Sequence, residues 1–541
     1  MSKKFVAENR YKKTTRTKVK LEKIKEDKKK KNNIKFLVIA IVIFVIFLSI
    51  LIGIKCIDQK NKKNKEIQEN QNFKLANENE FRIGVNKLKT KQPLFSNNLY
   101  VNELNKYVYL SLVRIDTDYN IIYEAAKEVQ KVNNHEYIII VNSELNYDVN
   151  KKVTVHDIKN TFEQFIKLSN KTEYYDNVNG ITELEIIDDN RLKVKLSRDD
   201  PYFIYRLQLP VLPITKYNDI SKVENDIAPQ NVGSIYSVMQ TDEKIIYERN
   251  KAAKNVYPKK LELIKLDSSE TLIEKFKNNE IDMFFTTIED LSKQLGKYEY
   301  NIKEVRNGKS LFLFGNKNSN FFSNKEIRKA LSYSINREDI IENVYKEKAV
   351  SIDLPYVYSD NKIRHDTIAA NNTLINAGFE KIGGLYTKDN KEIIMKLLVN
   401  GNDSKLVEAA KIIKSSAEEC GMRIDLEFLD SASIMNRIRN STYDLVLTKV
   451  SMNEVPDISF INSYININEN ISNSLKKIED ASVSEIPNEI RRNQNVLSEE
   501  MPCIGIISET ISLVTKKNIK GFDTVDYLNI FSNLDRVRKV D

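Results

Sequence analysis

FSNKEIRKALSYSINREDII, residues 322–341, is the stretch on which the fold turns. Ser323-Asn324-Lys325-Glu326 has the form of a capping box, and Ile327, Ala330, Leu331 and Ile335 recur behind it at helical spacing, so a helix opens here with one apolar face. Arg328 sits between two core-facing residues, Ile327 and Leu331, which points to a structural task for its long stem. Asn336 caps a second helix carrying Ile340, Ile341 and Val344, and Leu311 to Phe314 upstream reads as a strand. Strand followed by capped helices is the grammar of an α/β lobe.

The same grammar extends in both directions. Downstream, Leu406, Ala409, Ala410, Ile413, Ala417 and Cys420 keep helical period, Gly421 ends the helix, and Ile424, Leu426 and Phe428 alternate with Arg423, Asp425 and Glu427 as a strand. Upstream, a short strand is expected at Phe81-Arg82-Ile83-Gly84, and YIIIV (137–141) reads as a strand covered on both faces. Thr154 with Asp157 three residues on caps a helix through Ile158, Phe162, Phe165 and Ile166 to about Leu168. Leu184 and Ile186, then Leu192, Val194 and Leu196, flank Asp189-Asn190 as a hairpin.

Residues 36–54, FLVIAIVIFVIFLSILIGI, contain no charge. As a helix they would span roughly 28 Å, close to the hydrocarbon thickness of a bilayer. A buried core helix would keep a polar edge, and only Ser49 and Gly53 could supply one, so a transmembrane helix is expected. Residues 1–35 hold 15 Lys or Arg against four acids, a net of +11 that retains the N-terminus in the cytoplasm and places the main domain outside the cell. Cys56 invites a lipoprotein reading, but the charged Lys55 precedes it, and the apolar run is too long for a cleaved signal peptide, so the segment is expected to remain as an anchor. Residues 55–80 are polar and aperiodic, a flexible stalk. The lysines at 28–31 are expected to meet anionic lipid.

The chain carries +9 overall, so its 541 residues are about neutral once the tail is set aside, which removes the electrostatic footprint of a nucleic-acid binder. Three cysteines (Cys56, Cys420, Cys503) show no metal-type spacing, and Cys420 and Cys503 are expected as buried free thiols. His135, His156 and His365 are scattered singly, and no metal or other cofactor is expected. Gly308-Lys309-Ser310 lacks the earlier glycine of a P-loop, where Lys303 stands, and no nucleophile–base motif is present, so an enzyme is not expected.

Several of these landmarks fall in a familiar order. Thr154-Val155-His156-Asp157-Ile158 resembles T-A-E-D-V, Ile245 through Asn250 (IIYERN) the strand ending L-E-R-N, and Asn279-Glu280-Ile281-Asp282 the sequence G-E-I-D. The segment 322–340 is similar to a D-v-R-V-R-q-A-l-n-y-A-i-D-R-e-a-I helix pair, and Ala377-Gly378-Phe379, Glu500-Met501-Pro502 and Ile519-Lys520-Gly521-Phe522 resemble A-G-Y, e-D-x-P and v-k-G-l. These are marks of family 5 of the extracellular solute-binding proteins, which serve oligopeptide, dipeptide and nickel ABC importers, and the resemblance covers about residues 81–535. P-V-G-T-G-P-Y appears only as Val232-Gly233-Ser234-Ile235-Tyr236. W-x-x-D-Y-x-D-P, whose aspartate meets the peptide's amino terminus in the family, falls on KVSMNEVPD (449–457), placing Asn453 at the aspartate position and Glu454 next to it.

The resemblance implies a two-lobed periplasmic-binding-protein-like α/β fold of the large peptide-binding class. Lobe I would comprise 81–112, 177–304 and 510–541, an inserted subdomain 113–176, and lobe II 305–509, with hinge crossings near Gly308 and Ser508. It also implies a monomeric receptor that closes on an oligopeptide or other small solute and delivers it to an ABC permease, with Asn453 and Glu454 as ligand-binding residues. Asn453 is neutral, so either Glu454 substitutes or the ligand is not an ordinary free-amine peptide. The alternative is a tethered sensor or interaction module that keeps the fold and no longer serves transport.

Overall fold

The computed structural model describes residues 80–540 apart from 87–92, 97, 149–150, 224–235, 242, 251–257, 317, 320–321, 360–362, 466, 523–524, 526–529, 532 and 535. The expected tail, transmembrane segment and most of the stalk, with Cys56 and the lysines at 28–31, lie outside the described residues, as do positions 232–235. Among the described residues no helix is long and apolar enough to cross a membrane.

Eleven strands form the main sheet. In chain order they are β1 Glu80–Asn86, β2 Tyr236–Gln240, β3 Lys244–Arg249, β4 Lys260–Leu266, β5 Met283–Thr286, β6 Tyr300–Gly315, β7 Ala349–Ser351, β8 Ile394–Asn400, β9 Arg423–Leu429, β10 Leu445–Ser451 and β11 Cys503–Lys516. Their spatial order is β2-β3-β4-β1-β5-β11-β6-β10-β8-β9, with β7 also on β11. Parallel pairs lie toward each end (β1 with β4 and β5; β8 with β9 and β10), where connecting helices cover the faces. The centre is antiparallel and consists of two long strands, β6 of 16 residues and β11 of 14.

Those two strands run through both halves. Their register breaks between Arg306 and Ser310, around Gly308 at φ 81°, a left-handed conformation that glycine adopts without steric penalty. Before the break β5 borders β11; beyond it β10 borders β6. In the second half Leu311 and Leu313 face one core, shared with Ile327, Ala330 and Leu331, while Phe312 and Phe314 on the other face join the large core that continues into the first half.

The helix Lys325–Ser334 forms as expected, but its cap is Asn324, whose side chain accepts from Glu326 N and Ile327 N at 2.9 and 3.4 Å. Ser323 instead offers its carbonyl to Arg328. Arg328 is buried and donates to the carbonyls of Phe322, Ser323, Glu500 and Met501 at 2.7 to 2.9 Å, tying the start of this helix to the end of Ile486–Glu500. Arg337, which the sequence did not single out, is 1% exposed and donates to Gly505 O and to Ser332.

A separate four-stranded antiparallel sheet runs Ala126–Asn133, Glu136–Val141, Arg191–Leu196, Ile181–Asp188. The hairpin 181–196 pairs through Arg191–Leu196 with Glu136–Val141. Glu136–Val141 would otherwise leave one edge of its backbone unpaired. Along that strand Tyr137, Ile139 and Val141 are buried while Ile138 and Ile140 are half-buried, so one face is covered and not both. The helix Val155–Leu168 begins with the full Thr154–Asp157 capping box and packs on the hairpin, with Ile158, Phe162 and Phe165 buried and Ile166 36% exposed. Its polar side is buried as well: Asn160 donates to Leu212 O and Tyr217 O, and Asp157 and Thr161 accept from Ile214 N and Leu212 N. The strand β9 is an edge strand, which leaves Phe428 exposed despite its alternation with polar residues. Cys420 and Cys503 are both free and buried, in different cores.

Candidate functional site

The helix Leu99–Val108 starts at Asn98, whose side chain accepts from Tyr100 N and Val101 N, and it buries Val101, Leu104 and Val108 in the large core. Glu103 and Lys106 lie one turn apart, and Lys106 Nζ pairs with Glu103 Oε1 at 2.8 Å. From the second half, the loop after β10 brings Glu454 to the same lysine at 3.4 Å. Gln208 Nε2 donates to Glu454 Oε2 at 2.9 Å, and Tyr358 Oη donates to Oε1 at 3.1 Å. Glu454 therefore joins Lys106 and Gln208 of the first half to its own half. Asn453 points elsewhere: it is exposed, and its Oδ1 accepts from Val455 N at 3.0 Å, closing a turn in its own loop.

A cavity of about 120 Å³ opens at this junction, lined by Asn102, Glu103, Lys106, Tyr109, Pro210 and Glu454 among others. Asn102 Oδ1 is buried there without a hydrogen-bond partner. The charges are unequal. Burial pushes the Glu103 carboxyl up to about 7; Lys106 draws it down and Glu454 pushes it further up. Burial alone would lower the Lys106 ammonium, but Glu103 and Glu454 outweigh it and hold its pKa above the ordinary range. Arg114 forms its own pair with Glu124 at 3.1 Å and donates to Lys106 O at 2.6 Å.

Beside this cavity the two halves meet through tyrosines. The Tyr119 ring lies 6.1, 6.0 and 5.4 Å from those of Tyr205, Tyr356 and Tyr358, and Tyr119 Oη accepts from Tyr358 N. Lys131 donates to Glu479 O and Ala481 O, and Arg491 donates to Asp118 O at 2.9 Å. Among the described residues no group of three or more His, Cys, Asp or Glu could hold a metal ion.

Sequence reasoning reached Glu454 and Asn453 but not Glu103, Lys106, Gln208 or Tyr358. The aromatic spacings in YFIY (202–205) and YVY (356–358) were the available signal for the tyrosine contact; nothing local marks Glu103 or Lys106.

The model of the bacterial extracellular solute-binding proteins, family 5, matches residues 120–470. No curated protein matches the chain by sequence. Among solved structures, the periplasmic murein tripeptide-binding protein MppA in its unliganded open form is similar at TM-score 0.68 and 14% identity, covering 86% of this chain and 98% of that one. A nickel ABC transporter protein from Bacillus halodurans is similar at TM-score 0.67 and 15% identity, covering 82% and 97%. An ABC transporter substrate-binding protein from Sinorhizobium meliloti is similar at TM-score 0.66 and 16% identity, covering 85% and 100%. The shared fold is the two-lobed α/β architecture, and by the family match this chain is a member of the family-5 bacterial extracellular solute-binding proteins.

Proposed function

We propose that the chain is a membrane-anchored extracellular receptor that closes on a solute, of the oligopeptide class, and delivers it to an ABC permease. The observation that carries this reading is the cavity at the meeting of the halves, where Glu454 from one faces Lys106 and Gln208 from the other, in a chain of this family. The register break at Gly308 and the facing stretch of β11 near Ser508 would serve as the hinge, since the two long strands β6 and β11 run through both halves there. Lobe I, the inserted subdomain and lobe II would divide the chain about them, the subdomain extending through the hairpin that ends at Leu196. The charge-free run at 36–54 would hold the receptor near its permease and raise its local concentration, with the basic tail on anionic lipid. Binding, not bond-making, would be its work, as a monomer and without nucleic acid.

Isothermal titration of the detergent-solubilised chain with pooled charged, apolar and N-blocked oligopeptides tests the receptor; saturable heat is expected, and none from any pool argues against it. Protease added to intact cells should digest the portion beyond residue 80; its survival would remove the external placement.

One observation favours the second reading, a tethered sensor or interaction module. Glu454 is already engaged by the protein's own donors. Cross-linking that recovers a signalling protein in place of a permease would select it.

A further inference from the structure

Both oxygens of Glu454 are taken. Oε1 receives Lys106 and Tyr358, and Oε2 receives Gln208. A solute ammonium seeking Glu454 would have to displace Lys106 from Oε1 or the Gln208 amide from Oε2, and in either case would set a second cation beside the Lys106 ammonium. The rest of the lining includes apolar and uncharged groups, Leu110, Val113, Leu209 and Pro210 with Tyr109, in a space of about 120 Å³ that suits a small acyl group.

We infer that Lys106 is the specificity-determining residue of this cleft: its ammonium fills the cation subsite between Glu103 and Glu454, and the solute end accepted there is amine-free, as in an N-acylated peptide. This rests on the receptor reading above and names its substrate class. The charges point the same way. Lys106 offsets one carboxylate, burial lifts the Glu103 carboxyl to about 7 so that near neutral pH it is only part-ionised, and Arg114 is paired with Glu124, which leaves less than one full negative charge for a ligand cation to neutralise.

The test uses the full chain in detergent. Lys106→Ala removes three carbons and the ammonium, which n-propylammonium replaces atom for atom. Thermal unfolding should show saturable stabilisation of K106A by n-propylammonium chloride, none by n-propanol or sodium chloride at the same strength, and none of the wild type. Matched peptide pools, N-acetylated and free-amine, should bind the wild type with a preference for the acetylated form of about tenfold or more, and K106A should reverse that order. Saturable stabilisation of the wild type by n-propylammonium equal to that of K106A would overturn the assignment, as would tighter binding of the free-amine pool by the wild type; the latter leaves the receptor reading intact. Rescue of K106A with no binding of either pool would sustain the internal cation and remove the receptor reading. If K106A does not fold, the pools on the wild type decide.

Discussion

Glu103 makes stability fall as pH rises through neutrality, the reverse of what a paired surface carboxylate does. The group is 3% exposed, and its folded value is about 7 against an ordinary 4.5. Below about pH 4.5 both states hold the proton and its contribution is fully present. Between that point and about 7 the folded chain keeps a proton that the unfolded chain has lost, so stability declines with a slope of up to ~1.4 kcal/mol per pH unit and levels off above. The gap from 4.5 to about 7 corresponds to about 3 kcal/mol. Glu500 shifts the other way, held below its ordinary value by the Asn470 amide.

Glu103→Gln keeps the shape and removes the titration. Urea unfolding followed by tyrosine fluorescence is suited to a chain with 26 Tyr and no Trp. Between about pH 5 and about pH 8 the wild type should lose about 2.5 kcal/mol relative to E103Q, with E103Q the more stable at the upper end. Parallel pH dependence in the two proteins would refute the reasoning, because it would mean that Glu103 ionises alike in folded and unfolded chains.

Arg328→Ala should cost about 3–4 kcal/mol in the same unfolding assay, since four carbonyls lose a charged donor and those of Glu500 and Met501 end a helix. Arg328→Lys should recover less than half of that, as a single ammonium cannot span the four acceptors. Gly505→Ala would bring a Cβ to 2.7 Å from the backbone oxygens of Ile352 and Asp353, so a loss of about 1–3 kcal/mol by urea unfolding is expected. Burial pushes the Cys503 thiol up to about 12 and raises that of Cys420; in a Cys56→Ser background neither should react with an aromatic disulfide reagent at about pH 8 until denaturant is added, when both should.

Elements whose buried face leaves a period in the chain were legible without coordinates. The helices Val155–Leu168, Lys325–Ser334 and Ser404–Glu419, and the hairpin about Asp189-Asn190, lie where apolar spacing and caps placed them, because each must hide one stripe and saturate its own ends. Even Arg328's structural task could be read from its neighbours. What the tertiary structure decided are pairings between distant segments. Local spacing does not say that the hairpin joins Glu136–Val141, that the polar side of Val155–Leu168 binds the segment around Leu212, or that Phe428 lies on an edge strand. The site is the extreme case. Lys106 and Glu454 stand 348 positions apart, and a lysine and a glutamate have no periodic signature, so only the folded chain could make one the partner of the other.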